Sequence, residues 1–166
     1  MSRAFVKEDS SSSILEEIAE RQISPHPNYM TKEGFEHLKQ RVDALAKARF
    51  EVLTPDSDSA RHERALIDRD LRYYQARLQS AIVVEGQDPH ADNVRFGAWV
   101  TLQDESGIIY KFRLVGEDEA DAVQGLISWI SPLAGQLLGK QVGDRIIWAR
   151  EGIQTPVDIT EITYSG

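Results

Sequence analysis

Two stretches carry apolar residues at alternating intervals of three and four, and the acidic turn Thr54-Pro55-Asp56-Ser57-Asp58-Ser59 separates them. No other feature so constrains the fold. Phe35, Leu38, Val42 and Leu45 form the first set, and Ile67, Leu71, Tyr74, Leu78 and Ala81 the second. Such spacing places each set on one stripe of a helix, and a short turn between two stripes folds them back as an antiparallel pair. Thr31 is a good N-cap, with Glu33 in the first turn, where a carboxylate favours the helix dipole. The first helix is expected to run to about Val52, where Pro55 stops it, and Asp56 or Asp58 to cap a second helix reaching about Val83. At about 1.5 Å per residue, some twenty residues per arm give a rod of roughly 30 Å. Arg49 and Arg64 fall on the expected seam, so the base should pack better than the tip.

The pattern changes after the rod. Glu85-Gly86-Gln87-Asp88-Pro89-His90 reads as a linker. Ala98, Val100 and Leu102 then alternate with Trp99, Thr101 and Gln103, and the turn Asp104-Glu105-Ser106-Gly107 leads into a return strand from Ile108 to Val115. A third strand is expected over Leu126 to Ile130. Ser131, Pro132 and Gly139 punctuate a short helix as cap, first residue and stop. Strands from Arg145 to Ala149 and from Val157 to Tyr164 complete an antiparallel α+β domain. The expected organisation is a flexible arm over 1–28, an antiparallel coiled coil over 29–83, a linker over 84–92 and the sheet domain over 93–166.

The chain has 166 residues, no cysteine and a net charge of −8. Without cysteine there is neither a disulfide framework nor a thiolate metal site. The N-terminus lacks the apolar core of a signal peptide, and the apolar runs are too short to span a bilayer. These features lead us to expect a soluble, cytoplasmic protein. Residues 31–82 hold ten Lys and Arg against nine Asp and Glu, whereas residues 83–166 hold six against thirteen. The acidic half would repel a nucleic-acid backbone and suits a protein partner with a basic or apolar patch.

Several segments resemble the GreA/GreB family of bacterial transcript-cleavage and elongation factors. They are Tyr29 to Lys39, Asp68 to Tyr73, Phe96-Gly97-Ala98-Trp99-Val100, Phe112-Arg113-Leu114-Val115-Gly116, Ser131-Pro132-Leu133-Ala134 and Val142-Gly143-Asp144. The resemblance implies a coiled coil followed by an FKBP-like domain. It also implies docking on RNA polymerase, with the coil pointing through the secondary channel and tip carboxylates helping to hold a magnesium ion for cleavage of backtracked RNA. Oxygen ligands suit that hard cation. This chain departs from the family at the tip. Its acids are Asp56, Asp58 and Glu63, with no Asp-x-x-Glu in the turn, and each arm is shorter by roughly one heptad, about 10 Å of reach. In that shortness it resembles the Rnk type, which occupies the channel without promoting cleavage.

Asp56 and Asp58 can be read as groups orienting a magnesium ion shared with the polymerase, or as ordinary turn and cap residues. Arg61 and Arg64 can follow the phosphates of nascent RNA, or, with Arg69, Arg72 and Arg77, form a solvated face. Ser131, Pro132, Leu133 and Ala134 match the family's polymerase-docking loop and also spell a plain helix start. His26, His37, His62 and His90 lack metal-ligand spacing, and Trp99, Trp129 and Trp148 fall in expected strands as sheet packing. The chain is expected to have no catalytic constellation and no metal of its own, and to act as a monomer on RNA polymerase. A proline isomerase on the FKBP-like half is the competing reading; it requires an aromatic-lined pocket, and in sequence the aromatics are spread along the strands.

Overall fold

The computed structural model describes residues 18–52, 57–85 and 88–164. Two helices, α1 (Lys32–Glu51) and α2 (Asp58–Ser80), follow a two-residue strand, β1 (Tyr29–Met30). The chain divides into two compact units, one of residues 1–26 and 36–80, the other of residues 27–35 and 81–166.

In the helical unit the seam follows the heptad pattern at its base, where Leu38, Leu71 and Tyr74 are buried. The helices run antiparallel: Arg41 places its guanidinium 4.6 Å above the Tyr74 ring, and Arg49, further along α1, donates to Asp68, earlier in α2. A charge pair therefore replaces apolar packing towards the tip, and Phe50 is left 69% exposed. The α2 cap is Ser57 and not Asp58. Ser57 Oγ accepts from the Ala60 N–H at 3.1 Å, and the Ser57 carbonyl accepts from the Arg61 N–H. A hydroxyl reaches the third amide of the helix as well as a carboxylate does. Asp56 lies outside the described residues. Arg77, expected on a solvated face, is 1% exposed.

α2 stops at Ser80, short of the expected Val83. Ile82–Val83 form a strand, β2, paired in parallel with β1 (Tyr29–Met30) in the register Tyr29 with Ile82 and Met30 with Val83. The β-branched run Ile82-Val83-Val84 disfavours the helix, and the Ile82 and Val84 amides donate to the carbonyls of Asn28 and Met30 at 2.8 and 2.9 Å.

A second, five-stranded sheet has the order β5-β4-β3-β7-β6, built from β3 (Trp99–Asp104), β4 (Ile109–Val115), β5 (Leu126–Ser128), β6 (Arg145–Arg150) and β7 (Ile153–Thr163). The expectation of a purely antiparallel sheet is corrected at one pair, because β5 runs parallel to β4. The chain crosses over between them through two 3₁₀ turns, Glu117–Glu119 and Ala122–Gln124, instead of a hairpin. Trp129 lies just past β5, outside any strand. α3 (Pro132–Leu137) covers the core-facing side, so that Leu133, Ala134 and Leu137 join Val100, Leu102, Leu114, Ile146, Val157 and Ile159 in one core. Burying a leucine there contributes about 1.5–3 kcal/mol.

The start of α1 is held within this unit by one carboxylate. Glu119 accepts from the Thr31 N–H at 3.0 Å, from the Gly116 N–H at 2.8 Å and from the Thr31 hydroxyl. The same hydroxyl accepts from the Gly34 N–H at 3.0 Å and so caps α1. Only glycine fits beside the carboxylate: a Cβ on Gly34 would lie 2.0 Å from Glu119 Oε1, and one on Gly116 would lie 2.3 Å from the Tyr29 carbonyl. Gly34→Ala should cost about 1–3 kcal/mol, because the carboxylate can yield only by leaving its donors. In chemical denaturation a double-mutant cycle should show that cost shrinking in a Glu119→Ala background. Gly116→Ala, which meets rigid backbone, should receive no such relief.

Candidate functional site

Two surfaces hold the residues singled out in the sequence, one on each unit. At the tip of the helical unit, Asp58 opens α2 and its carboxylate accepts from Arg61 one turn on. Arg61 is therefore partnered within its own helix, and Arg64 is half-buried. Glu63 is exposed one residue before it. Oxygen donors of this kind suit magnesium, but among the described residues no group of three or more His, Asp or Glu side chains could hold a metal ion.

The arm expected to be flexible makes specific contacts in its described part. Arg21 lies with its guanidinium 3.8 Å over the Tyr73 ring and 4.8 Å from the Tyr74 ring, and it approaches Asp70 at 3.5 Å. Glu20 accepts from both Nε and Nη2 of Arg72. That pair holds the Glu20 carboxyl below its ordinary range. Two adjacent arm residues of opposite charge thus meet two α2 residues of opposite charge, Asp70 and Arg72. Neither contact was legible in the sequence, since a pairing across about fifty residues leaves no periodic trace. The Glu20–Arg72 pair is exposed and salt-screened, whereas the Arg21–Asp70 pair is partly buried.

On the sheet unit, α3 begins as its punctuation predicts: Ser131 Oγ accepts from the Ala134 N–H at 3.3 Å, with Pro132 at the first position. The docking candidates divide by burial. Leu133 and Ala134 belong to the core and give a partner nothing to touch, whereas Pro132 and the preceding Ile130 are exposed and Ser131 is half-buried. The expectation that the aromatics are spread apart is also corrected. The sheet brings Tyr110 and Phe112 of β4 against Trp148 of β6, edge to face at 5.0 and 5.4 Å, and Arg150 stacks 5.2 Å from the Trp148 ring. Strands three places apart in the sheet order meet because it curls, a closure that period-two alternation does not reveal.

These elements can be set beside known proteins. Residues 88–164 match the model of the family described as Transcription elongation factor, GreA/GreB, C-term. The chain is 33% identical over 149 residues to transcription elongation factor GreA of Nitratidesulfovibrio vulgaris, covering 81% of this chain and 91% of the relative. It is 33% identical over 144 residues to transcription elongation factor GreB of Haemophilus ducreyi, covering 78% and 86%. A solved prokaryotic transcription elongation factor GreA/GreB from Nitrosomonas europaea is 24% identical, with a TM-score of 0.43 and coverage of 84% and 99%. The protein belongs to the GreA/GreB family of transcription elongation factors. It is therefore a factor acting in transcription and not an enzyme in its own right, and among the described residues no helix is long and apolar enough to cross a membrane.

Glu33, in the first turn of α1, has its carboxyl held below the ordinary value of 4.5 by a backbone N–H, with Arg113 at 3.6 Å adding to the effect. A depressed folded-state pKa contributes stability that is present above the ordinary value and lost as pH falls through the folded one. Glu33→Gln should therefore lower the melting temperature slightly at pH 7, and the two melting curves should converge on acidification below the folded-state value.

Proposed function

We propose that this protein binds RNA polymerase and places its coiled coil in the secondary channel. There it modulates elongation by occupying the channel and supplies no ligand for cleavage chemistry. Family membership supports the polymerase as partner. The observation that carries the occupancy reading is the Asp58–Arg61 pair, in which the one described carboxylate of the acidic turn is engaged by its own helix. Among the described residues no group of three or more His, Asp or Glu side chains, Glu63 included, could hold an ion. On this reading the magnesium ion belongs to the polymerase and α2 lends it nothing, while Pro132, Ser131 and Ile130 form the part of the docking loop that meets the partner. The protein acts as a cytoplasmic monomer, and Arg61 and Arg64 lie on the helix nearest the nascent RNA.

Purified protein added to backtracked elongation complexes should leave the RNA 3′ end intact and should slow the shortening promoted by a cleavage-active relative. Prompt 3′ shortening that disappears in an Asp56→Ala/Asp58→Ala variant would overturn occupancy. Co-purification without polymerase subunits would overturn the partner itself.

A second reading, a proline-peptide site on the FKBP-like domain, would have to use the Tyr110, Phe112 and Trp148 cluster. Its rings pack on one another, so a prolyl isomerisation assay is expected to show no activity.

A further inference from the structure

Residues 1–17 lie outside the described residues, but the residues that follow them fix the direction from which they come. Arg21 sits over the Tyr73 ring and beside Asp70, and Glu20 holds Arg72. Ile18 reaches a groove of about 340 Å³ that α2 lines with Arg61, Arg64, Ala65, Asp68 and Arg72. Going back from Arg21 to Ile18, the arm therefore passes from the middle of α2 towards its first turns. Two of the arginine heads are engaged outside the groove's apolar strip, Arg61 by Asp58 and Arg72 by Glu20. A guanidinium tied in this way leaves its methylene stem as apolar surface. With Ala65, these stems offer a strip suited to aliphatic side chains, and Ile18 beside it is half-buried.

We propose that residues 8–17 of the same chain occupy this groove, packing Ile14 and Leu15 beside Ile18 along α2 as a third layer on the hairpin. Spacing, charge and length support that occupant. Ile14, Leu15 and Ile18 are spaced to share one side of a helical turn, with Glu16 and Glu17 off it. Residues 8–20 carry Glu8, Asp9, Glu16, Glu17 and Glu20 and no Lys or Arg, whereas the groove sets three arginines against Asp68. The summed field draws the segment in, whichever local pairs the arginines keep. Wound as a helix, residues 8–17 cover about 15 Å, as α2 does from Asp68 back to Asp58. Extended, they cover about 33 Å, so the segment reaches the start of α2 in either conformation. The layer is a built-in cover: a partner that grips α2 by this face has first to displace it. Glu20 and Arg21 are the tether that lets it return, and the cover is independent of which partner the hairpin meets.

The chain has no cysteine, so an introduced pair reports on position without background. Ser13→Cys/Ser59→Cys puts the second thiol in the first turn of α2, and Ser13→Cys/Gln79→Cys puts it at the far end. Both α2 positions are exposed. Each full-length variant is oxidised at low concentration, and disulfide closure within the monomer is followed on non-reducing gels. The pair at 13 and 59 should close several-fold faster than the pair at 13 and 79. Adding Ile14→Ser/Leu15→Ser/Ile18→Ser to both variants should bring the two rates together. Equal rates before that change, a preference for position 79, or no closure by either pair would each overturn the proposal. So would a preference for position 59 that survives the serine replacements, or disulfide-linked dimers, which would give the groove to a second copy. Far-ultraviolet circular dichroism of every variant checks that α2 is intact.

Discussion

A single carboxylate organises the beginning of the helical hairpin. Glu119 gathers two backbone amides and one hydroxyl, and charge-assisted bonds of this kind are roughly twice as strong as neutral ones. It saturates donors that would otherwise be left without partners at a helix start, where unsatisfied amides are most costly. Its presence then dictates sequence elsewhere: glycine is needed at 34 and a hydroxyl at 31, because a larger or less polar neighbour displaces the acid or strands a donor. Through Thr31, the cap that starts α1 and the acid that secures it become one hydrogen-bonded unit.

Elsewhere in the helical unit the forces are weaker and more polar. Leucine and tyrosine fill the seam at the base, but Arg49 with Asp68 and Asp58 with Arg61 take over towards the turn. Charge pairs on the surface contribute little individually and respond to salt. The described part of the hairpin nearest the turn is therefore held more weakly than its base.

The heptad spacing, the turn and the punctuation of α3 were plain in the sequence because each is local. Leu38, Leu71 and Tyr74 lie on the seam that their periodicity marks, and Ser131 caps as its position before Pro132 implies. What escaped was non-local or ambiguous. The parallel pairing of β4 with β5 depends on a crossover that no alternation encodes. Ile82 and Val83 were expected as the last residues of the second helix yet are strand by partner. Ser57 takes the cap in place of Asp58, although both are acceptable caps on chemistry alone. Of the candidate site, Ser131 to Ala134 were legible as a helix start, but their division into core residues and surface residues required the packing of α3. Glu20 and Arg21 met Arg72 and Asp70 across some fifty residues, with nothing in the intervening sequence to announce it.

The small parallel pair β1–β2 joins the segments on either side of the hairpin, so the chain enters α1 and leaves α2 at adjacent positions. The sheet unit is correspondingly discontinuous, made of residues 27–35 and 81 onwards. Topologically, residues 36–80 are an insertion between two neighbouring strands. Whole turns can be added to or removed from both arms together while the strand register, the acid at 119 and the core under α3 keep every partner. Length thus becomes a property that evolution can adjust independently of the fold, and a family built this way can include long and short members on one unchanged base.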